Sequence, residues 1–216
     1  MATSQLTLYN GALRLLGQTN LEDTDEASEA RYVLDNVWDE NARDYCLEAG
    51  WWNFAMRSAK IEDDTSVSPT FGFVYAFAKP TDWIRTHTIC FDEYFQSPMN
   101  DLDYSDEGAY WYADIDTIYV RYVSNDAAYG YDLSIWPQTF VKYFECYMAE
   151  QACMRITQNA ELHEKIEKKV GERLRDAIAK DGLNEGVKHF PAGNWARARA
   201  GGAGRRDRGS RGSLSG

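Results

Sequence analysis

Gly50-Trp51-Trp52-Asn53-Phe54-Ala55 divides the sequence, because the spacing of apolar residues changes period on either side of it. Upstream, Ala30, Val33, Leu34, Val37, Trp38, Asn41, Tyr45 and Cys46 follow one another at steps of three and four, which is one face of a helix. The stripe predicts a long helix of about 23 residues, ~35 Å, starting from Asp25 or Ser28 as N-cap and ending at Gly50. Its other face, with Glu29, Arg31, Asp35, Asp39, Arg43 and Asp44, reads as solvated charge. Further upstream Leu6, Tyr9, Leu13 and Leu16 predict a short first helix, with Gly17 in the position where a left-handed C-cap is favoured. The aromatic corner at 51–55 is expected to lock the end of the second helix by core packing.

Downstream the period shortens. The runs Phe71 to Phe77, Trp83 to Phe91, Ala109 to Ala113 and Thr117 to Val123 are rich in aromatic and β-branched residues and predict strands. The last two flank Asp114-Ile115-Asp116, short enough for a hairpin, and Lys79-Pro80-Thr81-Asp82 reads as the turn between the first two. Asp92 to Gly108, polar, acidic and holding Pro98, reads as a long loop. Helical spacing returns after Trp136-Pro137, with Phe140, Val141, Phe144, Tyr147, Met148, Ala152 and Ile156 marking a third helix. Leu162, Ile166, Val170, Leu174 and Ile178 then repeat every four residues, predicting a narrow-striped fourth helix that ends near Gly182. The expected fold class is α+β, mainly α. Residues 1–61 form N-terminal helices, 62–134 an inserted acidic antiparallel β-region, 135–182 C-terminal helices, and 183–216 an extended Gly/Arg-rich tail.

Composition bounds the rest. With 216 residues, 44% hydrophobic and 26% charged, the chain has enough apolar surface for one folded domain. The net charge of −11 is unevenly distributed. Residues 191–216 hold six arginines against Asp207, which is +5, and the remaining 17 bases and 33 acids make residues 1–190 −16. Residues 62–134 alone carry 14 acids against Lys79, Arg85 and Arg121. Such a surface repels nucleic acid. No stretch approaches the ~18 apolar residues of a membrane helix, so no membrane partner is expected. The first residues lack a signal-peptide layout, which suggests a reducing cytosol. Cys46, Cys90, Cys146 and Cys153, scattered and without CxxC spacing, read as core residues rather than disulfide partners.

Motifs for chemistry are weak. His87, His163 and His189 fit no zinc pattern, and no phosphate loop, dinucleotide fingerprint or nucleophile elbow is present, so no metal or cofactor is expected. The acid pairs Asp63/Asp64, Asp92/Glu93 and Asp106/Glu107 have the composition a glycosidase uses, but acidic pairs arise by chance among 34 acids. The chain is therefore read as a non-enzyme. Its arginine tail suits an acidic protein groove, and secondarily nucleic acid.

Taken in order, Leu15-Leu16-Gly17, the acidic link to a helix with Ala27 and Ala30, Gly50-Trp51-Trp52-Asn53-Phe54-Ala55, Tyr75, Pro80-Thr81-Asp82-Trp83-Ile84-Arg85, Tyr119-Val120-Arg121-Tyr122 and Trp136-Pro137-Gln138-Thr139-Phe140 resemble the head-to-tail adaptor (connector) family of tailed bacteriophages, tail tubular protein A-like. The likeness spans roughly residues 4–180. It implies a helical bundle with an inserted β-region, assembled as a dodecameric homo-oligomeric ring beneath the portal protein. Such a ring docks a downstream tail or nozzle protein and passes genomic DNA without specific binding. It also implies residence at the head-tail junction of the virion, after assembly in the host cytoplasm. On this reading Trp195, Arg197, Arg199, Arg205, Arg206, Arg208 and Arg211 are the portal anchor. Asp92, Glu93, Asp101, Asp103, Asp106 and Glu107 are then channel-lining or tail-facing acids. The alternatives are a nucleic-acid-contacting packaging accessory protein and a tail-associated cell-wall hydrolase.

Overall fold

The computed structural model describes residues 3–184; the arginine-rich segment and Trp195 lie outside the described residues. Among the described residues five α-helices and two three-stranded antiparallel sheets make a mixed α+β fold. Helix α1 spans Gln5–Leu16, with the Ser4 hydroxyl accepting from the Thr7 amide at the start and Gly17 left-handed at φ 70° after the end. A residue with a Cβ would be strained at that φ, so the expected C-cap is physically well founded. Helix α2, Glu29–Asp39, starts from Ser28, whose hydroxyl accepts from the Arg31 amide.

The expected long second helix is broken. Asn41 adopts φ 64°, and α3, Ala42–Glu48, restarts from it. Asparagine is among the few residues that enter this region at low cost, and no Gly or Pro announced the break. The break re-aims the buried face. Ala42, Cys46 and Leu47 turn inward, and Tyr45, which a continuous helix would bury, is 58% exposed.

Helix α4, Gln138–Thr157, buries residues around most of its circumference, among them Phe140, Val141, Tyr143, Phe144, Met148 and Cys153. A helix that is apolar nearly all round belongs in a core, and α1, α2 and α5 (Ala160–Asn184) pack against it. On α5 the four-residue repeat advances ~40° per step relative to a 3.6-residue turn. By Ile178 it has left the buried face, so Ile178 is 44% exposed while Ala177 and Asp181 are buried instead. All four cysteines are buried and free, and Cys146 and Cys153 share α4, as the sequence predicted.

The strands are β1 Met56–Glu62, β2 Tyr75–Ala78, β3 Trp83–Cys90, β4 Tyr104–Glu107, β5 Tyr110–Ala113 and β6 Thr117–Ser124. One sheet runs β1-β6-β3 and the other β2-β5-β4. Three expectations change. Strand β1 begins at Met56, within the segment expected to be N-terminal helices, and pairs with β6 from Met56 opposite Val123 to Glu62 opposite Thr117. Strand β4 lies in the expected long loop. Neither expected turn joins paired neighbours: β5 and β6 belong to different sheets, as do β2 and β3, and the hairpin is β4–β5 around Gly108. Phe77 and Trp111 from one sheet share a buried cluster with Ile89, Ile118, Val120 and Tyr122 from the other, so the sheets pack face to face. Met56, Val123 and Ile84 lie against the helical core, and the strands run from there toward the Asp114–Asp116 connection.

Candidate functional site

The corner at 50–55 distributes its aromatic residues to different tasks. Trp52 is 1% exposed, meets Phe140 edge-on at 4.8 Å between centroids, and donates from Nε1 to the Cys46 carbonyl at 3.1 Å. Phe54 packs on Phe140 at 4.9 Å. Trp51 stays half in water, with the Arg85 guanidinium 4.8 Å from its ring centre and His87 beside it. Asn53 fastens the corner to the last turns of α5: its amide donates to the Asp181 carboxylate at 2.9 Å and its Nδ2 to the Asp181 carbonyl at 3.0 Å. Replacing Asp181 by Ala strands a largely buried donor and should cost about 1–3 kcal/mol, whereas Asn, which keeps an acceptor, should cost less; chemical denaturation of the two variants measures the difference.

A second polar tie forms around Asp82. Its carboxylate accepts from Arg57 of β1 at 2.8 Å, from the Ser124 hydroxyl, and from the Tyr122 hydroxyl at 3.2 Å, both of β6. The Asn125 amide donates to its carbonyl at 3.0 Å. Burial alone would push this carboxyl up, but the hydrogen bonds from Ser124 and Arg57 outweigh it and hold the group below the usual carboxylate range. The Pro-Thr-Asp string quoted above is thus a junction between the loop and two strands of one sheet.

The sequence-predicted acids divide into two places. Asp92 and Glu93 follow β3, and Asp101 and Asp103 precede β4, so these four approach the same end of the β-region as the Asp114–Asp116 connection. Asp106 and Glu107 sit at the far end of β4. Several of the acids work locally. Asp92 accepts from the Gln96 and Ser97 amides at 3.1 and 2.7 Å, and Asp103 from the Asn100 amide at 2.9 Å. Asp106 pairs with Lys79 at 2.5 Å and accepts from Trp111 Nε1 at 3.1 Å, and Glu107 accepts from Ser105. Glu93 and Asp101 are exposed.

Two members of the acid pairs, Asp92 and Asp64, have lowered pKa values. The Gln96 amide leads the contacts that lower Asp92, and the Ser66 hydroxyl those that lower Asp64, so both are held ionised. Among the described residues no group of three or more His, Cys, Asp or Glu side chains is placed to hold a metal ion, and no helix is long and apolar enough to cross a membrane. A shallow cavity of about 190 Å³, lined by Pro69, Phe71, Phe73, Tyr112 and Glu107, lies beside the β2-β5-β4 sheet.

Sequence reading missed the apolar side of the same loop region. Phe71 is 89% exposed, Leu102 90% and Tyr94 73%, with Val74 and Phe91 also outward. The signal was available, since large apolar residues inside acidic loops have no core to enter. Tyr94, Leu102 and Val74, whose amide donates to Asp114, share the acidic end and make it a mixed apolar and anionic surface, whereas Phe71 lies beside Glu107 and Tyr112 against the β2-β5-β4 sheet. No protein-family model matches the chain, and no curated protein matches it.

Proposed function

We propose that the chain is a structural head-completion adaptor of a tailed phage, a helical bundle with an inserted β-region and an extended C-terminal segment. It forms a dodecameric ring between the portal and a downstream tail or nozzle protein. One observation carries the reading: the strings on which the family resemblance rests are those that fasten the elements together, Asn53 to Asp181 of α5 and Asp82 to β1 and β6. Residues placed this way specify an architecture rather than a reaction. The apolar and acidic end at Val74, Tyr94, Leu102, Asp92, Glu93, Asp101 and Asp103 suits the downstream component. Excess negative charge in residues 62–134 suits a conduit in which DNA slides without adhering.

The remaining contact is assigned to the C-terminal segment, with Trp195, Arg197, Arg199, Arg205, Arg206, Arg208 and Arg211 as the portal anchor. Each contact in such a ring buries on the order of 1,200–2,000 Å². The decisive measurement is the mass of the protein with and without portal. A ring-sized complex on the portal is expected, and a portal that stays free at high adaptor concentration overturns the proposal. Deleting residues 191–216 should leave a folded, helical body that no longer attaches; attachment at wild-type affinity would remove the tail's role.

A further inference from the structure

An acidic chain has gathered cations in one place. Two adjoining cavities of about 160 and 210 Å³ lie along α4 and α5 and share Lys142 and Arg173. The first also reaches α1 through Gly11, Arg14 and Leu15 and is lined by Lys169; the second continues to Lys180. The trough so formed carries Arg14, Lys142, Lys169, Arg173 and Lys180 against two carboxylates. One of these, Glu145, is 5% exposed and paired with Lys142 at 2.7 Å. It fits because Gly11 has no side chain, and a Cβ there would stand 2.2 Å from the Glu145 Cδ. The other, Asp176, approaches Arg173 at 3.9 Å from an exposed position. The trough therefore keeps a surplus of positive charge in a body whose net charge is strongly negative.

Helix α2 carries the complementary surface. Glu29, Tyr32, Val33, Asn36 and Glu40 fall within one arc of the helix, with Tyr32 50% exposed and Val33 and Val37 beside it along a cavity of about 400 Å³. Two cations sit on this face, Arg155 of α4 paired with Glu29 at 3.0 Å and Arg31 over the Tyr32 ring at 4.4 Å, yet residues 22–40 hold eight acids against Arg31 alone, so the segment is strongly acidic around an apolar centre.

We propose that the cationic trough between α1, α4 and α5 receives the acidic outer face of α2 from a second copy of this chain. The two faces differ, so the contact is heterologous and generates a ring or an open filament rather than a closed pair. Tyr32, Val33 and Val37 supply apolar area, while the charges set register and exclude wrong pairings. This inference rests on the ring-forming adaptor reading and gives that ring its lateral contact.

The test uses the full-length chain in sedimentation equilibrium at about 50 and 500 mM salt, together with Lys169→Glu/Arg173→Glu, Glu29→Lys/Glu40→Lys, and an equimolar mixture of the two variants. Circular dichroism confirms that each variant is folded. Wild-type association should be strongest at low salt, each variant should associate about tenfold or more weakly, and the mixture should recover mixed complexes. A monomeric wild-type protein at low salt, variants that associate as wild type does, or a mixture that stays apart would each overturn the inference. So would a short DNA duplex that binds the wild-type protein and is lost from the trough variant, if mixing restores no self-association, because the trough would then be a phosphate-binding surface. The adaptor reading is scored separately by portal attachment. A trough variant that still forms a ring on the portal removes this contact and leaves the adaptor, whereas self-association without portal attachment does the reverse.

Discussion

Replacing Trp52 by Ala is expected to lower unfolding stability by about 3–5 kcal/mol, read as a reduced midpoint in urea at unchanged slope. The indole is 1% exposed and lies against Phe54, Phe140 and Tyr143. Truncation removes those contacts and leaves a cavity between the end of α3 and α4. It also removes the donor that satisfies the Cys46 carbonyl at 3.1 Å, inside a region where a replacement partner has no room. Trp52→Phe should recover most of the packing but not the hydrogen bond, and so fall between. The neighbouring Trp51 is 52% exposed, so Trp51→Ala should change stability far less. Two adjacent tryptophans with opposite outcomes separate core packing from general aromatic content. Equal effects would show that the corner is not oriented as described.

The second large effect is expected at Asp82. Asp82→Ala should cost about 3 kcal/mol at neutral pH, because Arg57, Ser124 and Tyr122 all lose their acceptor. Its carboxyl is held below the ordinary value in the folded protein, so the stabilisation is present above the unfolded value of about 3.9 and fades as pH falls through the lower folded value. Wild-type thermal midpoints should therefore decline between about pH 5 and pH 2 more steeply than those of Asp82→Asn, which has no proton to take up there. Parallel curves would mean that other acids carry the acid lability.

How legible this was in the sequence depended on where each signal lay. Gly17, Ser28 and the α4 stripe were readable because caps and dense 3-and-4 spacing act within a few residues of chain. Strands β3, β5 and β6 were readable from their aromatic and β-branched content. Strand β1, Met-Arg-Ser-Ala-Lys-Ile-Glu, was not, since three of its seven residues are charged and its partner lies across most of the β-region. Strand β4, Tyr-Ser-Asp-Glu, is an edge with two acids in four residues, so it carries a loop's composition. The pairing errors share one cause. A short connection suggests a hairpin, but two sheets packed face to face let the chain change layers through an equally short one. The acids around the Asp114–Asp116 connection were expected as candidates, whereas the exposed Tyr94 and Leu102 beside them were not, although large apolar residues inside an acidic loop have no core to enter. The trough escaped notice altogether, since its cations come from α1, α4 and α5 and only tertiary structure assembles them.

The pairing of residue 56 with residue 123 gives the chain a demanding route to its native state. Everything from β2 through β5 is an excursion enclosed by that one ladder, so its sheet closes only after a long loop has paid its entropy. The local helices can form early, and strand β6 must wait for distant partners while its central apolar positions remain open to other molecules. During synthesis the final helices, α4 and α5, emerge after this closure becomes possible. Newly made chains should accordingly be most vulnerable to aggregation in the interval before β1 finds β6.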